Sequence, residues 1–184
     1  MRPQLPMYCS WIIAVVCTVT CGFYASAAEP SGSPIVADGA KLEHLYTREA
    51  KLNSGLTEGP AVAQDGSIYF TDMPFGADNG KIMRFDPKSG KTTVFVDNSG
   101  KSNGLVALKD GSLVSCDGAD GGGRRLVAWN IKSGEGRTLS DRIDGKRFNS
   151  PNDLCLDLKG RLYFTDPRYG GSEPRELERE AVYR

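Results

Sequence analysis

Three stretches decide the fold: EGPAVAQDGSIYFTD (Glu58 to Asp72), NGLVALKDGSLVSCD (Asn103 to Asp117) and NDLCLDLKGRLYFTD (Asn152 to Asp166). They align without internal gaps. Asn103 stands 45 residues after Glu58, and Asn152 stands 49 after Asn103. A second phrase also recurs, as GKIMRFDPKSGKTTVFVD ending at Asp97 and RLVAWNIKSGEGRTLSD ending at Asp141. Ile68 to Thr71, Leu113-Val114 and Leu162 to Thr165 are β-branched, aromatic or aliphatic runs. They follow turns at Asp65-Gly66, Asp110-Gly111 and Lys159-Gly160, which predicts hairpins. The KSG triplets at Lys88 and Lys132 mark the turn between two further strands. A period of 40–50 residues carrying about four short strands is the signature of a β-propeller. The chain holds two full units and most of a third, with the last strand starting at Val182. The fold expected is therefore all-β, a propeller of which two and a half to three blades are present.

Composition agrees. Lys and Arg number 23 against 23 Asp and Glu, for a formal net charge of zero. That balance argues against nucleic acid held by bulk electrostatics, which needs a basic face. Hydrophobic residues make up 39% of the 184, too many for a disordered chain. The 22 Gly and 10 Pro fit many turns.

Outside the repeat, Arg2 precedes an apolar run from Trp11 to Ala25 and the small residues Ala25-Ser26-Ala27-Ala28. This reads as a secretory signal peptide over residues 1–27; the alternatives are an uncleaved membrane anchor, against which Thr18 and Thr20 dilute the apolar run, and a lipid anchor on Cys21. Residues 28–55 form a leader and linker, and 56–184 the propeller portion. The mature protein is expected to be exported, as a periplasmic or secreted protein, with no membrane segment. Cys116 and Cys155 lie in predicted strands, where a buried thiol is the plainer reading and a disulfide the alternative. His44 is the one histidine and no CxxC occurs, which excludes a Cys/His zinc site.

Equivalent residues of successive blades stand at the same height around a propeller axis. Glu58, Asn103 and Asn152 share one repeat position and are expected to converge at one mouth of the channel. A carboxylate with carboxamides suits a hard divalent cation. The alternative is that these groups satisfy backbone atoms at turns. Asp72, Asp117 and Asp166 also align, and are expected to cap or turn the chain.

The EGP at Glu58, the SNGL at Ser102 to Leu105 and the phrase GKRFNSPNDLCLDLKGRLYFTDPRYGG (Gly145 to Gly171) resemble the gluconolactonase/regucalcin (SMP-30-like) family, its bacterial and fungal branch most of all. The resemblance covers Leu56 to Arg184. It implies a six-bladed propeller with one divalent metal, Ca²⁺ foremost and Mg²⁺, Mn²⁺ or Zn²⁺ as alternatives, in the central channel. Glu58 and Asn152 match the family's metal-site positions. Arg147 matches the substrate-contacting arginine, with Asn149, Asn103 and Asp153 as further substrate-binding candidates. The family's acid/base Asp matches nothing up to residue 184, so no catalytic residue is assigned within the chain. The implied activity is metal-dependent opening of a small sugar lactone to the hydroxy acid, by a protein of which this chain, inactive alone, is the N-terminal part. The alternatives are a strictosidine-synthase-like propeller and a non-catalytic exported binding module.

Overall fold

A computed structural model describes residues 35–48, 55–76 and 78–184. The expected signal peptide lies outside the described residues. Among those described, no helix is long and apolar enough to cross a membrane. Residues 35–43 belong to one unit and show a turn closed by the Ala40 N–H on the Ala37 carbonyl. All the strands lie in the other unit, His44–Arg184.

The first sheet is an antiparallel meander of β1 (Gly55–Val62), β2 (Ile68–Pro74), β3 (Lys81–Asp86) and β4 (Lys91–Val96). The second repeats it with β5 (Ser102–Ala107), β6 (Ser112–Asp117), β7 (Arg125–Asn130) and β8 (Gly136–Ser140). A small hairpin of β9 (Arg142–Ile143) and β10 (Lys146–Arg147) leads into the third sheet. That sheet comprises β11 (Leu154–Leu156), β12 (Leu162–Asp166) and β13 (Ala181–Tyr183). These are three propeller blades, the third with three strands, as the repeat predicts.

The hairpins close by one device. Asp65, Asp110 and Asp157 each accept a backbone N–H two residues on, at 2.9 Å, from Ser67, Ser112 and Lys159. Asp86 and Asn130 do the same for Lys88 and Lys132 in the KSG turns. Short polar side chains mimic a backbone turn in this way.

Successive side chains of a strand point to opposite sheet faces, so each blade presents one face to the next. Tyr69 and Ile82 of the first blade pack on Leu105, Leu113, Val127 and Trp129 of the second. Val114, Cys116 and Leu126 of the second pack with Leu154, Phe164 and the connecting Phe148. Phe148 and Phe164 meet edge to face at 5.1 Å, and Tyr183 joins them. Full burial of side chains this size is worth about 1.5–3 kcal/mol each, so the seams between blades carry the core.

Asp72, Asp117 and Asp166, at the ends of β2, β6 and β12, are buried and staple the chain entering each blade. Asp72 accepts Tyr46 O–H at 2.8 Å and pairs with Arg48. Asp117 accepts the hydroxyls of Ser102 and Ser115 at 2.7 and 2.9 Å and Arg125 Nε at 3.1 Å. Asp166 accepts the N–H groups of Asn149 and Ser150 at 2.8 and 2.7 Å. The expected capping role is what they perform. The cysteines differ from expectation in one respect. Cys116 is buried, but Cys155 is exposed, because it points to the face of the third blade away from the second; both thiols are free.

Candidate functional site

The starts of the three inner strands β1, β5 and β11 lie side by side, and two glycines permit it. A Cβ on Gly59 would stand 2.3 Å from the Asn103 carbonyl oxygen. A Cβ on Gly104 would stand 2.5 Å from Asp153 Oδ1 and 2.7 Å from its Cα. Only a residue without a side chain fits such an approach. Polar bonds complete the rim. Thr71 Oγ1 shares its one proton between the carbonyls of Glu58 and Asn103, at 3.2 and 3.0 Å, and the Gly104 N–H donates to the Asn152 carbonyl at 2.7 Å. The three equivalent residues therefore follow one another around a common edge.

Asn103 and Asn152 line one recess of about 190 Å³. Leu56, Met73 and Phe75 border it on one side, Ser150, Pro151 and Tyr169 on the other, and Lys101 and Asp120 complete its polar lining. Glu58 lines a neighbouring groove of about 420 Å³ with Tyr46, Phe70 and Phe85. Asp153 is exposed, faces an adjoining hollow shared with Asn152 and Thr165, and accepts the Leu154 N–H at 2.8 Å.

Arg147 and Asn149 stand elsewhere. Arg147 Nη2 donates to the Gly123 carbonyl at 2.6 Å, and its backbone N–H to Glu176. It belongs to a set of three arginines that tie loops together through backbone carbonyls. Arg124 Nε holds Phe148 at 2.7 Å, and Arg168 holds Asn149 and Glu173 at 2.9 and 2.6 Å. Burial first, then the positive charges of Arg168 and Arg147, push the Arg124 pKa down. Asn149 is fully buried, and its side-chain amide donates to the Arg179 carbonyl at 3.0 Å.

The donor chemistry bears on a metal. Among the described residues no three His, Cys, Asp or Glu side chains gather. Asn103 and Asn152 share the recess, whereas the carboxylate at the same repeat position, Glu58, lines the neighbouring groove, so the expected convergence on one mouth is met by the two carboxamides and not by Glu58. All three are oxygen donors of the kind a hard cation takes, and two carboxamides in one recess are few beside the six to eight ligands of Ca²⁺. Lys101 and Asp120 lie outside the three aligned stretches, and the counterparts of Lys101 two residues before Glu58 and Asn152 are Leu56 and Ser150, so residue type did not mark it. The signal for them was the glycine run after Asp120, where the chain turns back under Lys101.

Residues 56–184 match the SMP-30/gluconolactonase/LRE-like region. The chain belongs to this family. A gluconolactonase of Zymomonas mobilis subsp. mobilis is 32% identical over 145 residues, covering 70% of this chain and 39% of the relative. The strictosidine synthase-like 3 protein of Arabidopsis thaliana is 30% identical over 111 residues, covering 56% of this chain and 27% of that one. Among solved structures, the gluconolactonase XC5397 of Xanthomonas campestris superimposes with a TM-score of 0.61 at 26% identity, covering 72% of this chain and 44% of its own. The chain thus spans about two fifths of the length of the gluconolactonases it matches. Within the family, three blades and their common rim are what this chain contributes.

Proposed function

We propose that the family member carrying these blades is an exported, metal-dependent lactonase that opens a small sugar lactone to the hydroxy acid. The observation that carries the reading is the shared recess of Asn103 and Asn152, two equivalent carboxamides beside the strand that bears Glu58. Glu58 and Asn152 would hold a divalent cation, Ca²⁺ foremost. When bound, the cation supplies a Lewis acid for the lactone carbonyl. Asn103 supplies hydrogen-bond donors and an acceptor for ring hydroxyls, and Asp153 an acceptor at the neighbouring hollow. Leu56, Met73, Phe75 and Pro151 shed water around the ring, which strengthens every polar contact made there. Arg147 acts in this reading through the loop it holds rather than by reaching the recess. With so few oxygen donors from these three blades, they would by themselves hold the cation weakly and turn over little.

Calorimetry with Ca²⁺, Mg²⁺, Mn²⁺ and Zn²⁺ tests the assignment. Glu58→Gln and Asn152→Ala should each weaken cation binding about tenfold or more, since charge count and ligand number set affinity at such sites. In pH-stat assays on gluconolactone, any metal-dependent rate above the spontaneous one should fall in the same variants. Equal cation affinity in all three proteins would sink the metal assignment.

A further inference from the structure

Lys101 is placed as few lysines are. It is only 4% exposed, it lines the recess, and its backbone is in the left-handed region at φ 60°. Asp120, also on the recess, is left-handed as well, at φ 62°. Non-glycine residues held in this region are strained by about 1–3 kcal/mol, and such strain gathers at ligand sites. The surroundings enforce the arrangement. The Lys101 N–H donates to the Asn79 carbonyl at 2.7 Å, and its carbonyl accepts the Gly118 N–H at 2.9 Å. Gly122 lies so close beneath that a Cβ there would stand 2.7 Å from Lys101 Cβ. The glycine run Gly121 to Gly123 thus makes room for the lysine stem.

An ammonium has three donors. One goes to the Gly76 carbonyl at 2.6 Å. Another reaches Asp120 Oδ2 at 3.5 Å, a long contact to a side chain that is itself 64% exposed. These are its two partners among the described residues. Among the residues that line the recess, Lys101 is the one cation and Asp120 the one anion. A buried ammonium is costly unless paired, and here its counter-ion stands at the long distance of 3.5 Å on a side chain open to solvent. The recess is therefore preset to receive another anion, beside two carboxamides suited to hydroxyl groups.

We propose that Lys101 is a carboxylate anchor, holding the acid group of a sugar acid in the recess, with Asp120 as the internal counter-ion that the ligand displaces. The proposal rests on the lactonase reading for its ligand class. Water added across the acyl C–O bond of a lactone leaves a carboxyl and a hydroxyl, and the carboxyl loses its proton at neutral pH. The ligand would be that product, or a lactone carrying a second acid group.

The test is titration of the full chain with sodium gluconate, by calorimetry in chelator, with sorbitol as the neutral polyol of similar size. Wild type should bind gluconate saturably. Lys101→Met should weaken it at least tenfold and leave sorbitol unchanged, while Lys101→Arg stays within about threefold of wild type. Asp120→Asn should bind gluconate several-fold more tightly, because the competing internal anion is gone. Circular dichroism verifies folding, and if Lys101→Met unfolds, the Asp120→Asn result decides. Unchanged gluconate affinity in Lys101→Met, equal or weaker affinity in Asp120→Asn, or no binding by wild type would each overturn the anchor. Lactone hydrolysis measured alongside separates the two readings. Gluconate binding that depends on Lys101, without hydrolysis under any metal, keeps the anchor and removes the lactonase. Hydrolysis with binding indifferent to Lys101 does the reverse.

Discussion

At the scale of single residues, Asp117 shows how burial and hydrogen bonding compete. Burial raises its pKa to about 6, outweighing the donors from Ser102, Arg125 and Ser115 that favour the ionised form. The ordinary carboxyl titrates near 4, so the difference is worth about 3 kcal/mol. The folded protein holds this proton more tightly than the unfolded chain. The residue's stabilising contribution is therefore complete below about pH 4 and is lost as pH rises through about 6. Asp117→Asn cannot ionise and escapes that loss. The prediction is that the variant gains stability relative to wild type by about 3 kcal/mol between pH 4 and pH 7, read from denaturant midpoints across that range. A difference between the two proteins that stays constant with pH would contradict it. Sequence alone placed Asp117 in line with Asp72 and Asp166 and read a cap. It did not show that all three are buried, because burial depends on neighbours supplied by other segments. The same limit explains the site. Asn103 and Asn152 were legible from their shared repeat position. Lys101 was not, since its own residue type shows no left-handed backbone and the one sign of it, the glycine run that makes room for its stem, lies about twenty residues away. The carbonyls that Arg147 and Arg124 hold, those of Gly123 and Phe148, are each 24 residues away along the chain, so no local pattern announced that role.

At the scale of strands, the repeat carried nearly everything. Turn residues fixed the hairpins, and alternation fixed which side chains meet across each seam. What it left open was how closely the inner strands approach, a matter of one atom. Gly104 is the clearest case, because its backbone is not left-handed and only steric crowding demands a glycine there. A Cβ there meets Asp153 Oδ1 at 2.5 Å and the Asn152 carbonyl oxygen at 2.8 Å. Two backbones would have to part, and the bond from the Gly104 N–H to Asn152 would stretch with them. Gly104→Ala should lower stability by about 2 kcal/mol or more, within the range of overpacked interiors. Gly170, also not left-handed, has nothing within 4 Å of an added Cβ. Gly170→Ala should stay within about 0.5 kcal/mol of wild type. Urea unfolding of the pair decides it, and equal losses would show that the inner seam is looser than its geometry states.

At the scale of the three blades, stability is a sum over neighbours. In arrays of repeats each unit contacts only the next, so a unit with two seams is held better than one at an end. The middle blade has both seams. From Leu113 to Asp117 of β6 and from Leu126 to Trp129 of β7 every residue is buried. The third blade has one. Its far face carries Val182 at 67% exposure and the exposed Cys155, and its outermost strand β13 is three residues long. Opening β13 breaks few ladder bonds and exposes little that is not already in water, apart from the Tyr183 ring against Phe148 and Phe164. Opening β6 or β7 exposes both cores at once. Local opening energies rise from near zero at weakly packed ends to the global value in the core. Amide hydrogen exchange followed by mass spectrometry should therefore rank β6 and β7 slowest, β2 and β3 next, and β13 fastest, with β13 ahead of β6 by a factor of about a hundred or more. Equal protection of β13 and β6 would mean that the third blade's far face is covered in solution, and that blade-by-blade additivity fails for this chain.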